Sequence, residues 1–246
     1  MLKLLIQIIS LLLIVSLVSC QSGIAQVQKP LKQSLGEMHN RLAEYVMKSP
    51  NYMAFMSKDV DTLFTIDAYE AYMSASKEFL MDNGVTASEA DEYLAQTDSL
   101  LFMIGALKID NSEVVVENFD TDYLDAVYDY VKNYVPLEII EESYINTIYD
   151  DYRLGKSYSD ISDRIDQIPI DNYPQNQINK LLDFISVFQS SAQYWPAMEP
   201  EILGLPGGIG VLLWDCAGGI IGGCVHWIVG LLMATLFSMI AFQKYK

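Results

Sequence analysis

From Ile202 onward the chain is apolar and rich in glycine, unlike anything between its leader and that point. Between Glu201 and Lys244 the only formal charge is Asp215, and nine of the fourteen glycines fall there. Cys216 to Phe242 carries no charge at all. A helix hydrophobic on every side must sit in a membrane or in a protein core, and about 20 apolar residues suffice to cross a bilayer. Three arrangements meet that constraint: a transmembrane helix over 216–242, an apolar helix buried in the body or a partner, and a membrane-perturbing segment. The expectation taken forward is the first. The basic end 243–246, with Lys244 and Lys246, would then lie in the cytoplasm. Asp215 would stay wet at the outer interface, and His226 would sit deeper as a neutral group bonded to a neighbouring helix.

The spacing inside this segment is regular. Gly218, Gly222, His226 and Gly230 recur every four residues, and Gly219 and Gly223 form a parallel row. In water each glycine costs a helix roughly 1 kcal/mol relative to alanine. In lipid such rows let a second helix approach closely. The pattern resembles the glycine-zipper segments of membrane-inserting proteins and some bacteriocins. That resemblance implies self-association, or a partner helix, through Gly218, Gly219, Gly222, Gly223, His226 and Gly230.

The other end of the chain has a second apolar run. Lys3 precedes Leu4–Leu13, an almost unbroken apolar stretch, and the run closes on Leu17-Val18-Ser19-Cys20. A short charged region followed by an apolar core is the form of a secretory signal. The closing tetrapeptide resembles a bacterial lipobox. It implies a signal peptide over 1–19, cleavage before Cys20, and lipid attached to the Cys20 thiol. Each buried acyl methylene adds ~0.8 kcal/mol, so two or more chains anchor stably. Ordinary cleavage after Gly23-Ile24-Ala25 is the competing reading. Residues 20–30 then form a tether.

Between the ends lies an acidic body. Gln26 to Glu201 holds 31 Asp and Glu against 12 Lys and Arg, a net charge of about −19. Such a surface repels phosphate backbones, which argues against nucleic acid. The body has no cysteine between Gln21 and Leu213, so no disulfide framework holds it. Cys216 and Cys224, eight residues apart on one helix, would be about 12 Å apart along its axis, too far to bridge.

Helical periodicity dominates residues 31–200, expected as an all-α domain. Leu31, Leu35, Met38, Leu42 and Val46 form one stripe that stops at Ser49-Pro50. Lys58 to Met81 reads as a second helix. Thr86 and Glu89 make a capping box for a helix reaching about Leu107. Ile109 to Phe119 breaks the pattern, and its β-branched Val114-Val115-Val116 reads as a lone strand or connector. Helices follow to Tyr134, over Leu137–Leu154, over Ser157–Ile168, and from Gln175 to a stop at Trp195-Pro196. Residues 201–215 read as a Gly/Pro linker. The fold class expected is a bundle of six or seven amphipathic helices plus a C-terminal apolar glycine-rich helix.

Chemistry is hard to find in this body. His39 is its only histidine and reads as a surface group, so no zinc set exists. Asp120-Thr121-Asp122-Tyr123-Leu124-Asp125 has the spaced acids of a calcium loop but lacks its glycine and reads better as a helix start. Glu141-Glu142 and Asp150-Asp151 are carboxylate pairs, yet a glycosidase needs two acids across a cleft. No metal, cofactor or catalytic residue is assigned. The expectation is a membrane-anchored cell-envelope lipoprotein with an exported body, of scaffolding or interaction type, whose partners are the bilayer and a second helix. A bacteriocin-like or pore-associated protein acting through its tail is the alternative, and a hydrolase of envelope polymers the third.

Overall fold

A computed structural model describes residues 34–56, 65–110, 113–116, 121–198 and 208–245. The signal peptide, Cys20, the tether, the start of the helix expected from Lys58 and the linker up to residue 207 lie outside the described residues.

The described chain is all-α apart from one small hairpin. Its helices are α1 (Leu35–Lys48), α2 (Pro50–Met56), α3 (Ile66–Asp82) and α4 (Ala87–Met103). After the strands β1 (Leu107–Asp110) and β2 (Glu113–Val116) come α5 (Thr121–Tyr134), α6 (Ile139–Arg153) and α7 (Tyr158–Asp166). The last three are α8 (Asn179–Met198), α9 (Gly208–Gly223) and α10 (Trp227–Tyr245).

Local chemistry sets most of these boundaries. Ser34 with Glu37, Thr86 with Glu89, and Ser157 with Asp160 are reciprocal capping boxes at the starts of α1, α4 and α7, each satisfying two otherwise orphaned N–H groups. Gly155, at φ 71°, follows the end of α6 in the left-handed region that glycine enters without strain. Helix α4 ends at Met103 rather than near Leu107, α8 starts at Asn179 rather than Gln175, and two further readings differ. Val114 does not stand in a lone strand: β1 and β2 pair antiparallel, with Leu107 opposite Val116. Helix α8 runs through Pro196 to Met198. A proline removes one N–H from the ladder, and so close to the helix end that loss is local.

The largest correction concerns the apolar tail. It is two helices, with the break at 224–226 inside the stretch expected to be one helix over 216–242. The expected linker is shortened too, because α9 already begins at Gly208. Cβ atoms built on Gly218 and Gly222 would meet Met233 and Val229 respectively, so the contacts move toward lower numbers as α9 advances. That register makes α9 and α10 an antiparallel hairpin, as a three-residue connection requires. At about 1.5 Å per residue, the 16 residues of α9 reach ~24 Å. Among the described residues no helix is long and apolar enough to cross a membrane.

The hairpin is instead the centre of the body. Every residue from 209 to 222 and from 228 to 241 is buried. Helices α1, α5, α6 and α8 pack around it, with α4 against α10. Body tyrosines reach in with their hydroxyls: Tyr72 donates to the Leu232 carbonyl at 2.6 Å and Tyr128 to that of Leu213 at 3.2 Å. Trp214 stacks on Tyr123, with centroids 5.4 Å apart, and meets Phe237 edge-on at 5.5 Å. The tyrosines thus join apolar ring packing to a polar tip that needs a partner.

Glycine makes the hairpin's crossing possible. An added Cβ would lie 2.6 Å from the Met233 carbonyl oxygen at Gly218, 2.5 Å from that of Val229 at Gly222, and 2.8 Å from that of Gly219 at Gly230. All three contacts are with backbone, which cannot rotate aside. Gly36 plays the same part between α1 and α8, where a Cβ would fall 2.0 Å from the Ser186 carbonyl oxygen. Gly223 faces nothing within 4 Å. Gly222→Ala should therefore destabilise the fold by about 1–3 kcal/mol, the usual penalty of overpacking. Gly223→Ala should change it by less than about 0.5 kcal/mol. Urea unfolding of the two variants checks this, and equal losses would contradict the assigned crossing.

Candidate functional site

Where the hairpin meets α1 and α8, four helices contribute to one buried polar junction. His39 comes from α1, Ser191 and Trp195 from α8, Asp215 from α9 and Ser238 from α10. His39, Ser191, Trp195, Asp215 and Ser238 are all 0% exposed. Two expectations are corrected here. His39 is not a surface histidine, and Asp215 is not a wet interfacial acid.

The bonding can be followed atom by atom. Trp195 Nε1 donates to Ser238 Oγ at 2.7 Å and shares its hydrogen with Asp215 Oδ2 at 3.3 Å. His39 Nδ1 lies 3.0 Å from Asn40 Oδ1 and 3.5 Å from Ser191 Oγ. Asn40 is held in turn by donating Nδ2 to the Ser190 carbonyl at 2.8 Å. An amide oxygen only accepts, so the His39 proton belongs on Nδ1. That leaves Nε2 with a lone pair, 3.6 Å from Asp215 Oδ2. Nε2 of His39 and Oδ1 of Asp215 are buried with no hydrogen-bond partner, each at a desolvation cost of about 1–3 kcal/mol.

Burial dominates the charge state. Removal from water pushes the Asp215 carboxyl up to about 8, opposed by hydrogen bonds from Ser191, Ser238 and Trp195. The same desolvation brings the His39 imidazole down to about 4, opposed by its bond to Asn40. At neutral pH the junction is a protonated acid facing a neutral imidazole, without net charge.

Serine, histidine and aspartate invite comparison with a nucleophilic triad. Such a triad needs a base bonded to the nucleophile and room for a substrate. Here Ser191 is a distant second partner of a nitrogen already bonded to Asn40, and no solvent reaches any of the three. What the junction does is fix the hairpin's rotation and depth against α1 and α8.

The remaining candidates have structural duties. Glu141, almost wholly buried, accepts from the N–H groups of Lys180 at 2.7 Å and Leu181 at 3.4 Å, capping α8 from α6. Asp151 is bonded to Arg164, and Asp125 takes the Tyr149 hydroxyl and pairs with Arg153 at 3.2 Å. Among the described residues no group of three His, Cys, Asp or Glu is placed to hold a metal ion. His226 lies in the hairpin turn, stacks on Tyr93 with centroids 4.5 Å apart, and accepts at Nδ1 from the Ile228 N–H at 3.2 Å. It caps its own helix. A Cβ built on Gly219 would lie 3.6 Å from Leu35 and from Val187, both on body helices, in ordinary van der Waals contact. Cys216 and Cys224 are free thiols, the first buried and the second half-buried.

Sequence reasoning passed over His39 and Asp215 as a pair because 176 positions separate them. His39 alone was legible. It falls four residues after Leu35 and three before Leu42, on the apolar stripe rather than beside it. Compared with known proteins, the chain matches no family model, no curated protein and no solved structure.

The junction makes stability depend on pH in a definite direction. Between about pH 4 and 6.5 folding keeps a proton on Asp215 that the unfolded chain releases, and withholds one from His39 that the unfolded chain binds. The two slopes oppose each other. From about 6.5 to 8 only Asp215 acts, and stability falls as pH rises, by ~2 kcal/mol over the window. Asp215→Asn, neutral at every pH, should remove that fall. Urea unfolding at pH 6.5 and 8 tests it, and parallel losses in both proteins would contradict the assignment.

Proposed function

We propose that this chain is a bacterial envelope lipoprotein of scaffolding or interaction type, held to its membrane by lipid on Cys20. One observation supports the reading above others: the apolar tail is packed as the core of the body, so anchoring falls to the leader. The body then stands on its tether as one exported unit with a strongly acidic surface. That surface suits cationic partners and excludes nucleic acid. Exposed apolar side chains on α5 and α6, Tyr134 and Ile139 at 69% and 87% exposure, add hydrophobic contact area to it. The glycine rows, placed against the chain's own backbone, leave self-association to surfaces other than the hairpin crossing.

A second reading keeps the tail as an effector that leaves the body and acts on lipid. It is favoured by the hairpin's character, apolar around its whole circumference rather than on one face. Removing the tail would not separate the two readings, because it would also remove the core.

Exchange of residues 1–25 for an ordinary cleavable signal peptide separates them. The first reading expects the native chain to incorporate labelled palmitate and resist alkaline carbonate, and the exchanged chain to be released in soluble form. Its purified product should leave dye-loaded vesicles intact. An exchanged chain that stays integral to the membrane, or empties the vesicles, supports the effector instead.

A further inference from the structure

A cleft between α3 and α4 carries a feature that anchoring does not account for. It is open to solvent and has a volume of about 360 Å³, within the range of small-molecule sites. Ile66, Tyr69, Glu70 and Met73 of α3 line one wall, and Leu94, Asp98 and Phe102 of α4 line the other. Leu107 of β1 closes it. The helical spacing on each side, three to four residues, gives each helix one continuous face toward the cleft.

Chemistry along this lining is one-sided. Among the described residues it contains two carboxylates, Glu70 and Asp98, and neither a lysine nor an arginine. Tyr69 is buried and donates its hydroxyl to Oδ1 of Asp98. That bond orients the carboxylate and leaves Oδ2 for a second donor. Glu70 stands exposed at the rim. Phe102, 41% exposed, brings an aromatic ring to the lining, a group whose quadrupole attracts cations. The remaining lining is aliphatic or thioether.

We propose that this cleft binds a small organic cation, an amine or ammonium group carried on a compact apolar body. The cationic head sits between Asp98 and Glu70, and the apolar part lies against Ile66, Met73, Leu94 and Phe102. The acidic body raises the local concentration of any such cation by long-range attraction, while the apolar walls select those with a hydrophobic portion. Simple metal ions lack that portion and do not fit this lining. Burial raises the Asp98 carboxyl above the usual carboxylate range, so a bound cation would favour its ionised form and release protons on binding at acid pH. The proposal is independent of how the chain is anchored.

Titration calorimetry on the full-length protein in detergent tests it, with 2-phenylethylamine as the probe and 3-phenylpropionate as its anionic counterpart of similar size. The amine should bind saturably and the carboxylate should not. Glu70→Gln, at the exposed rim, should weaken amine binding by about threefold, and Asp98→Asn by about tenfold, in the range set for losing a charge-assisted partner. Thermal unfolding of both variants verifies the fold, and the rim variant serves if Asp98→Asn disturbs it. Leu94→Trp, which fills the cleft while keeping both acids, should abolish binding. Equal binding of the amine and the acid would reduce the cleft to an apolar hollow. Binding of the amine that survives all three substitutions would reduce it to general counterion attraction. Absence of saturable binding would overturn the proposal outright.

Discussion

Everything in this molecule depends on the contact between α9 and α10, where two helices meet backbone to backbone across Gly218, Gly222 and Gly230. The approach leaves no space for side chains between them, so the outward faces of the hairpin carry the bulk of its Leu, Ile, Val, Phe and Met. Those faces are what the amphipathic helices cover. A fully buried side chain of this kind contributes about 1.5–3 kcal/mol relative to exposure, and the hairpin is buried from end to end. Without it α1, α5 and α8 would share no common surface to pack on.

The buried polar junction gives that apolar core its register. Hydrophobic packing is not directional, and two nearly featureless helices could slide or rotate within a ring of amphipathic partners. Trp195, bonded to both Asp215 and Ser238, ties α8 to each arm of the hairpin. His39, held by Asn40, faces Asp215 from α1. Any rotation of the hairpin would strand these groups in the core without partners. The junction gives up some stability, through a protonated carboxyl and a lone imidazole nitrogen, in exchange for a single arrangement.

Much of the fold was legible in the sequence, and what was not has two causes. Thr86 announced its helix because capping is a local matter of four residues; Ser34 and Ser157 cap theirs in the same way. The stripe of Leu35, Met38, Leu42 and Val46 announced a buried face. The tail was misread because hydrophobicity says that a segment must leave water without saying where it goes. A membrane and a protein core satisfy the same composition. The break at 224–226 was the local clue, since two glycines followed by a histidine able to cap the next helix end one helix and begin another. The glycine rows were recognised, but their partner was sought in another molecule rather than seven to fifteen residues further along the same chain. His39 and Asp215 failed differently: each looked ordinary alone, and only the three-dimensional packing brings them together. The cleft between α3 and α4 belongs to the same class, because spacing shows which residues share a face but not which two faces meet.

The central claim is that the hairpin is part of the body's single cooperative core. Hydrogen exchange, read by fragment on the full-length protein in lipid nanodiscs across a urea series, addresses it most directly. The account predicts that the amides of 209–222 and 228–241 lose protection in the same transition as those of α1 and α8. A hairpin that stays protected after those helices have melted would show that lipid, not the body, is what holds it.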